Sequence, residues 1–238
     1  SEKKIRQEFF DNASHELKTP LTSIRGYGEL LRSGVVNDPK QAQECVDRIL
    51  KETTHMTALI TDILMISRLE GNDVVEKKTD IALRPAVEEL CKSFTPMANE
   101  HRVMLEMQCE TLCVHMSQKH VEQLIGNLIS NAIKYNHEGG TVDVLIRRQE
   151  NLLVITVEDS GIGISKEDEK HIFERFYRVD KGRSRKIGGT GLGLSIVKHI
   201  ARYYHGKIDL FSRENIGTTI TITLPDVIVD ESSADQAA

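Results

Sequence analysis

Tryptophan is absent from the 238 residues, and aromatic side chains make up only 5% of them. That leaves too few flat rings for the base-stacking platforms of single-strand nucleic-acid binders. A surplus of positive charge is missing too: the formal net charge is −5, whereas a phosphate backbone calls for a basic surface. No apolar run approaches the roughly eighteen residues of a membrane span, and the opening SEKKIRQ has no signal-peptide core. These absences argue against nucleic acid as a partner and against a membrane segment in this chain. They predict a cytoplasmic chain, and its abrupt charged start reads as a piece of something longer, with membrane anchoring of that parent left open. Cysteine is sparse: Cys45, Cys91, Cys109 and Cys113 form no CxxC pair, as expected of reduced thiols. Cys109, Cys113, His115 and His120 are near neighbours in sequence, but their spacing fits no common zinc site. Cys109 and Cys113 fall in an alternating stretch that should aim both at one face of a sheet.

What is present divides into two halves of different period. Residues 1–70 are patterned as long helices. Val46, Ile49, Thr53, Met56, Ile60 and Ile63 recur at steps of three and four, and Leu50, Leu59, Leu64 and Ile66 widen that apolar face beyond a two-stranded seam. SGVVNDPK (33–40) carries the turn chemistry between two helices: Gly34 to end one, then Asn37-Asp38-Pro39 as cap and first-turn proline. One hairpin buries little, so its wide apolar faces predict pairing with a second copy into a four-helix bundle. Beyond Gly71 the pattern changes to strands at 103–109, 141–148, 151–159, 207–213 and 218–224, with helices at about 85–99, 117–135, 165–172 and 190–205. The short gap between 141–148 and 151–159 predicts a hairpin and hence a mixed sheet. The fold class is therefore multidomain: an all-α hairpin over 1–70, a linker over 71–80, an α+β sandwich over 81–225, and a tail over 226–238 that reads as disordered from its small and acidic residues.

Three segments of the second half carry chemistry. In NLISNAIKY, Asn127 and Asn131 share a helix face, with Lys134 and Tyr135 a turn further on. Mid-helix asparagine is a poor helix former, and its amide suits Mg²⁺ or phosphate oxygens; a solvated or capping pair is the bland alternative. In EDSGIGIS, Asp159 ends an apolar strand before Gly161 and Gly163. It could accept from an exocyclic amine, or simply close an Asx turn. GGTGLGLS (188–195) feeds a helix N-terminus as a phosphate cradle would, yet it fits neither the dinucleotide fingerprint nor the Walker loop. Between the last two lies IFERFYRVDKGRSRK, where Phe173, Phe176 and Tyr177 combine with Arg178, Lys181, Arg183, Arg185 and Lys186. This is either a solvated basic loop or a lid that neutralises phosphate.

Taken in order, these segments resemble the sensor histidine kinases of two-component systems over residues 5–225. SHELKTPLTSIRGYGELL resembles the family's H box, NLISNAIKY its N box, EDSGIGI its G1 box, IFERFYR its F box and GGTGLGLSIVKHI its G2 box. The resemblance implies a dimerising four-helix bundle followed by a Bergerat-type ATP-binding sandwich shared with gyrase, Hsp90 and MutL-type ATPases. It makes His15 the phosphoacceptor and Glu16 its general base, with Thr19 positioning water or a receiver domain for the reverse, phosphatase reaction. Asn127 matches the Mg²⁺ ligand, Asn131 and Lys134 phosphate contacts, Tyr135 a residue packing beside adenine or ribose, and Asp159 the adenine reader. Gly161, Gly163, Gly189, Gly191 and Gly193 match the hinge and phosphate-loop glycines, Thr190 and Leu192 belong to the same loop, and Arg178 matches a lid arginine. ATP and Mg²⁺ are the implied cofactors; a second copy and a response regulator receiver domain are the implied partners. A nucleotide-reporting regulatory module, or a gyrase- or Hsp90-like ATPase without histidine phosphorylation, is the alternative.

Two further expectations concern SHELKTP. At 100° per residue His15 falls roughly 175° from the mean direction of Phe9, Phe10, Ala13 and Leu17, so it should face solvent. Pro20 cannot donate to the carbonyl of Glu16, so the helix can bend one turn beyond His15.

Overall fold

The computed structural model describes residues 2–71, 76–179 and 189–229. By its contacts the chain divides into two compact units, Ser1–Ser67 with Glu174–Leu192, and Arg68–Phe173 with Gly193–Ala238.

The first unit holds two long helices, α1 (Glu2–Ser33) and α2 (Pro39–Glu70). Gly34 leaves α1 with φ +70°, a conformation that costs a residue without Cβ little. Asp38 starts α2, its Oδ1 accepting the Lys40 N–H at 3.2 Å and its carbonyl the Ala42 N–H at 3.0 Å. The turn is the one predicted, with Pro39 where a missing N–H is harmless. α1 stays helical through Pro20, which is buried.

Burial refines the apolar pattern of α2. Cys45, Leu59, Met65 and Ile66 are buried, while Val46, Leu50, Ile60 and Leu64, which share a different face of the helix, are exposed at 38%, 59%, 44% and 53%. The wide apolar face expected of α2 is thus partly covered within the chain and partly open. On α1, Phe9 and Ala13 are buried as expected, whereas Phe10 is exposed.

The second unit contains β1 (Thr79–Ala82), α3 (Leu83–Glu100), β2 (Met104–Cys109), β3 (Cys113–Met116), α4 (Gln118–Lys134), β4 (Thr141–Gln149) and β5 (Leu152–Asp159). After a 3₁₀ turn at Asp168–Lys170 come α5 (Gly193–Tyr203), β6 (Lys207–Arg213), β7 (Gly217–Pro225) and β8 (Ile228–Val229). Five strands form a mixed sheet in the order β2-β4-β5-β7-β6, parallel only between β2 and β4; β1, β3 and β8 form a small antiparallel sheet. On the large sheet Val142, Val144, Ile146, Leu153, Ile155, Val157, Ile220, Ile222 and Leu224 are buried. Those alternating positions face the helices, and α4 answers with Val121, Leu124, Ile125, Leu128, Ile129 and Ile133. The layering is that of an α+β sandwich.

Three expectations need correction. The helix expected at 165–172 is only the 3₁₀ turn, in which Ser165 Oγ donates to Asp168 Oδ2 and accepts the Asp168 N–H. Cys109 and Cys113 do not share a sheet face: the first ends β2 of the large sheet and the second begins β3 of the small one. The tail is ordered at its start, since Ile228–Val229 pairs with β3; residues 230–238 lie outside the described residues. By its contacts the segment Glu174–Leu192, which the sequence places inside 81–225, groups with the hairpin. Its anchors there are Phe176, stacked 5.8 Å from Phe9, and Arg175, whose guanidinium lies 4.8 Å above the Phe9 ring.

Candidate functional site

In the first unit, His15 stands on the outer side of α1 with its side chain 77% exposed, as the helical projection requires. Its Nδ1 lies 3.9 Å from Glu16 Oε1. That is ion-pair reach and longer than a hydrogen bond. Thr19 is one turn beyond and exposed. The same unit contains the start of the glycine-rich loop. Phe176 N–H donates to the Gly191 carbonyl at 2.9 Å, and Arg178 Nη2 donates to the Gly189 carbonyl. Thr190 Oγ1 bonds Asp62 Oδ2 of α2 at 2.6 Å and accepts the Leu192 N–H at 3.2 Å, while Leu192 is fully buried. Lys181, Arg183, Arg185 and Lys186 of the basic segment lie outside the described residues.

The second unit brings together the amides and the carboxylate. Asn127, Asn131 and Lys134 share the half-buried face of α4, opposite the apolar face that packs on the sheet. Tyr135 caps that helix, and its carbonyl accepts the Ile162 N–H at 3.0 Å, which brings the turn after β5 against the end of α4. A Cβ on Gly161 would sit 2.4 Å from the Tyr135 carbonyl oxygen and 2.8 Å from Asp159 Oδ1; only hydrogen fits there. Gly163 has φ +67° and passes against the backbone of Arg213.

Asp159 Oδ1 accepts the Gly161 N–H at 2.8 Å. Burial pushes its carboxyl up from 3.8 to about 6, only partly countered by the N–H groups of Gly161 and Thr218. A desolvated carboxylate at a strand end is a strong acceptor, and a further donor such as an exocyclic amine would relieve its burial.

Gly193 opens α5 beside Asn127: a Cβ at 193 would lie 2.8 Å from Asn127 Oδ1. An amide oxygen beside a helix N-terminus fits a divalent cation that also carries phosphate oxygens. Sequence reasoning missed three participants. Gln123 is one turn before Asn127, and the i, i+4 spacing could have flagged it. Asp62 and Phe9 touch the loop and F-box segment from the hairpin, and nothing local in the sequence signals those contacts.

Residues 5–72 match the family described as His Kinase A (phospho-acceptor) domain, and residues 116–228 that described as Histidine kinase-, DNA gyrase B-, and HSP90-like ATPase. The sensor histidine kinase WalK of Bacillus subtilis (strain 168) is 39% identical over 235 residues, which cover 98% of this chain and 38% of WalK. The chain therefore spans well under half the length of that relative. Among solved structures, the histidine kinase AdeS of Acinetobacter baumannii is similar in fold, with a TM-score of 0.73 at 23% identity over 89% of this chain and 97% of that one. The histidine kinase ThkA, solved in complex with the response regulator protein TrrA, has a TM-score of 0.73 at 23% identity, covering 95% of this chain and 65% of ThkA.

Proposed function

Because the chain belongs to the sensor histidine kinases of two-component systems, we propose that it phosphorylates its own His15 from ATP and passes the phosphoryl group to an aspartate of a response regulator. The observation that carries this reading is the exposure of His15 beside Glu16 on an unbroken helix, in a chain that also holds the half-buried acceptor Asp159. Glu16 takes the Nδ1 proton as Nε2 attacks the γ-phosphorus. The N–P bond forms as the bond to the β–γ bridging oxygen breaks, and ADP leaves with that electron pair. Asp159 accepts from the adenine amine, Tyr135 packs beside the adenine or ribose, and Asn131 and Lys134 hold phosphate oxygens. Gly161 and Gly163 shape the turn under the base. Gly189, Thr190, Gly191, Leu192 and Gly193 present loop amides to the phosphates, and Arg178 neutralises charge near the γ-phosphate. Asn127 would hold Mg²⁺, which supplies charge neutralisation on the triphosphate.

The exposed stripe of Val46, Leu50, Ile60 and Leu64 supports a homodimer through residues 1–70. Thr19, one turn from His15, supports the reverse reaction by orienting water toward a phosphorylated receiver domain. The linker expected at 71–80 gives way to β1 at Thr79, its residues 72–75 lying outside the described residues, and the ATP-binding module of this reading runs on through β8. No helix among the described residues is long and apolar enough to cross a membrane; a cytoplasmic working place for this piece is part of the proposal.

Incubation with γ-labelled ATP tests it. The expected result is acid-labile, base-stable label on the protein that disappears in His15→Gln. Steady phosphate release unaffected by His15→Gln, with no protein-bound label, would instead identify a plain ATPase.

A further inference from the structure

Asn127 carries its amide in a forced orientation. Its Nδ2 donates to the backbone carbonyl of Gln123 at 2.7 Å and to the Gln123 side-chain Oε1 at 3.1 Å. Turning the amide over would set Oδ1 against two oxygens, at the cost of both bonds and with repulsion added. The backbone carbonyl one turn back is available to any residue, and alone it leaves the amide free to swing about a single bond. The side-chain oxygen gives Nδ2 a second partner and restricts that freedom. Oδ1 is thereby turned toward the first residue of α5, where glycine leaves the 2.8 Å gap that a Cβ would close.

We propose that Gln123 is a positioning residue that holds the amide oxygen of Asn127 toward a divalent cation bound with the nucleotide. The inference rests on the reading of Asn127 as the cation's ligand. Gln123 is half-buried and one turn from Asn127 on the same face of α4. Preorienting a ligand matters because a neutral amide is a weak donor to a hard cation: an oxygen already aimed pays no rotational cost on binding.

Equilibrium binding of a fluorescent ATP analogue to the full chain across a Mg²⁺ titration distinguishes the possibilities, with Mn²⁺ binding followed by electron paramagnetic resonance as a second readout. Gln123→Met keeps length and removes the acceptor; Gln123→Glu keeps the acceptor; Asn127→Ala removes the ligand itself. Gln123→Met should need about fivefold more Mg²⁺ for half-maximal tightening of the analogue, the typical worth of one hydrogen bond. Its affinity in excess chelator and its melting temperature should stay unchanged. Gln123→Glu should need no more Mg²⁺ than the parent. A Gln123→Met variant with the parent's Mg²⁺ profile, alongside a shifted Asn127→Ala, would overturn the role of Gln123 alone. An unshifted Asn127→Ala would overturn the assignment of Asn127 on which it rests. A Gln123→Glu variant that needs more Mg²⁺ than the parent also sinks the proposal, however the Met variant folds.

Discussion

Asp159→Asn should make the nucleotide-free protein more stable and the nucleotide-bound protein harder to form. The carboxyl ends β5 half-buried, bonded to the Gly161 N–H at 2.8 Å, and burial raises it from 3.8 to about 6. A raised carboxyl binds its proton more tightly in the folded chain than in the unfolded one. Stability from this group is therefore highest below pH 4, falls as pH rises through about 4 to 6, and is at its full deficit above pH 6. At ~1.4 kcal/mol per pH unit the deficit has a ceiling of ~3 kcal/mol, and residual solvent contact reduces it to ~1–2 kcal/mol. Asparagine is neutral and nearly isosteric, and its Oδ1 still accepts from Gly161. The substitution should raise the melting temperature at pH 8 by about 3–6 °C, and the gain should vanish near pH 4. Affinity for ATP at pH 8 should fall by at least about tenfold, the worth of a charge-assisted hydrogen bond to the base. Differential scanning calorimetry across pH 4 to 8, paired with titration calorimetry, measures both. A gain of equal size at pH 4 and pH 8 would refute the desolvation argument, and unchanged ATP affinity would remove Asp159 from base recognition.

Three other perturbations follow from the geometry. Gly161→Ala drives a Cβ to 2.4 Å from the Tyr135 carbonyl and should cost about 2–4 kcal/mol in urea unfolding; a cost under about 0.5 kcal/mol would mean the turn relaxes freely. Leu50→Lys with Leu64→Lys puts charge on the open stripe of α2. Since each buried leucine contributes about 1.5–3 kcal/mol, the pair should convert the proposed dimer to monomer in sedimentation at micromolar concentration with helix content kept, and a persistent dimer would relocate the interface. Pro20→Ala restores an N–H for the Glu16 carbonyl inside α1 and should shift the ratio of autophosphorylation to regulator dephosphorylation; if neither rate moves, a bend at Pro20 has no part in function.

The sequence alone determined what depends on local period and local chemistry. The two long helices and the turn between them were legible in the three-four spacing and in Gly34, Asp38 and Pro39. So were the five strands of the large sheet, because each runs long enough to alternate. The solvent-facing direction of His15 followed from helical geometry, and the amide, carboxylate and glycine segments followed from residue types that are costly unless they have work to do. The short strands β1, β3 and β8 were not legible, since two to four residues carry no period and their pairing comes from opposite ends of the unit. Only tertiary structure decided which part of the apolar surface of α2 is covered, because burial depends on what packs against it. Tertiary structure also raised Asp159 toward neutrality, a property of its surroundings rather than of its neighbours in sequence. The grouping of Phe176, Arg175 and Thr190 with Phe9 and Asp62 brings together residues more than a hundred positions apart. No spacing rule reaches that far, because such contacts are chosen by the free energy of the assembled unit and leave no mark on either segment alone.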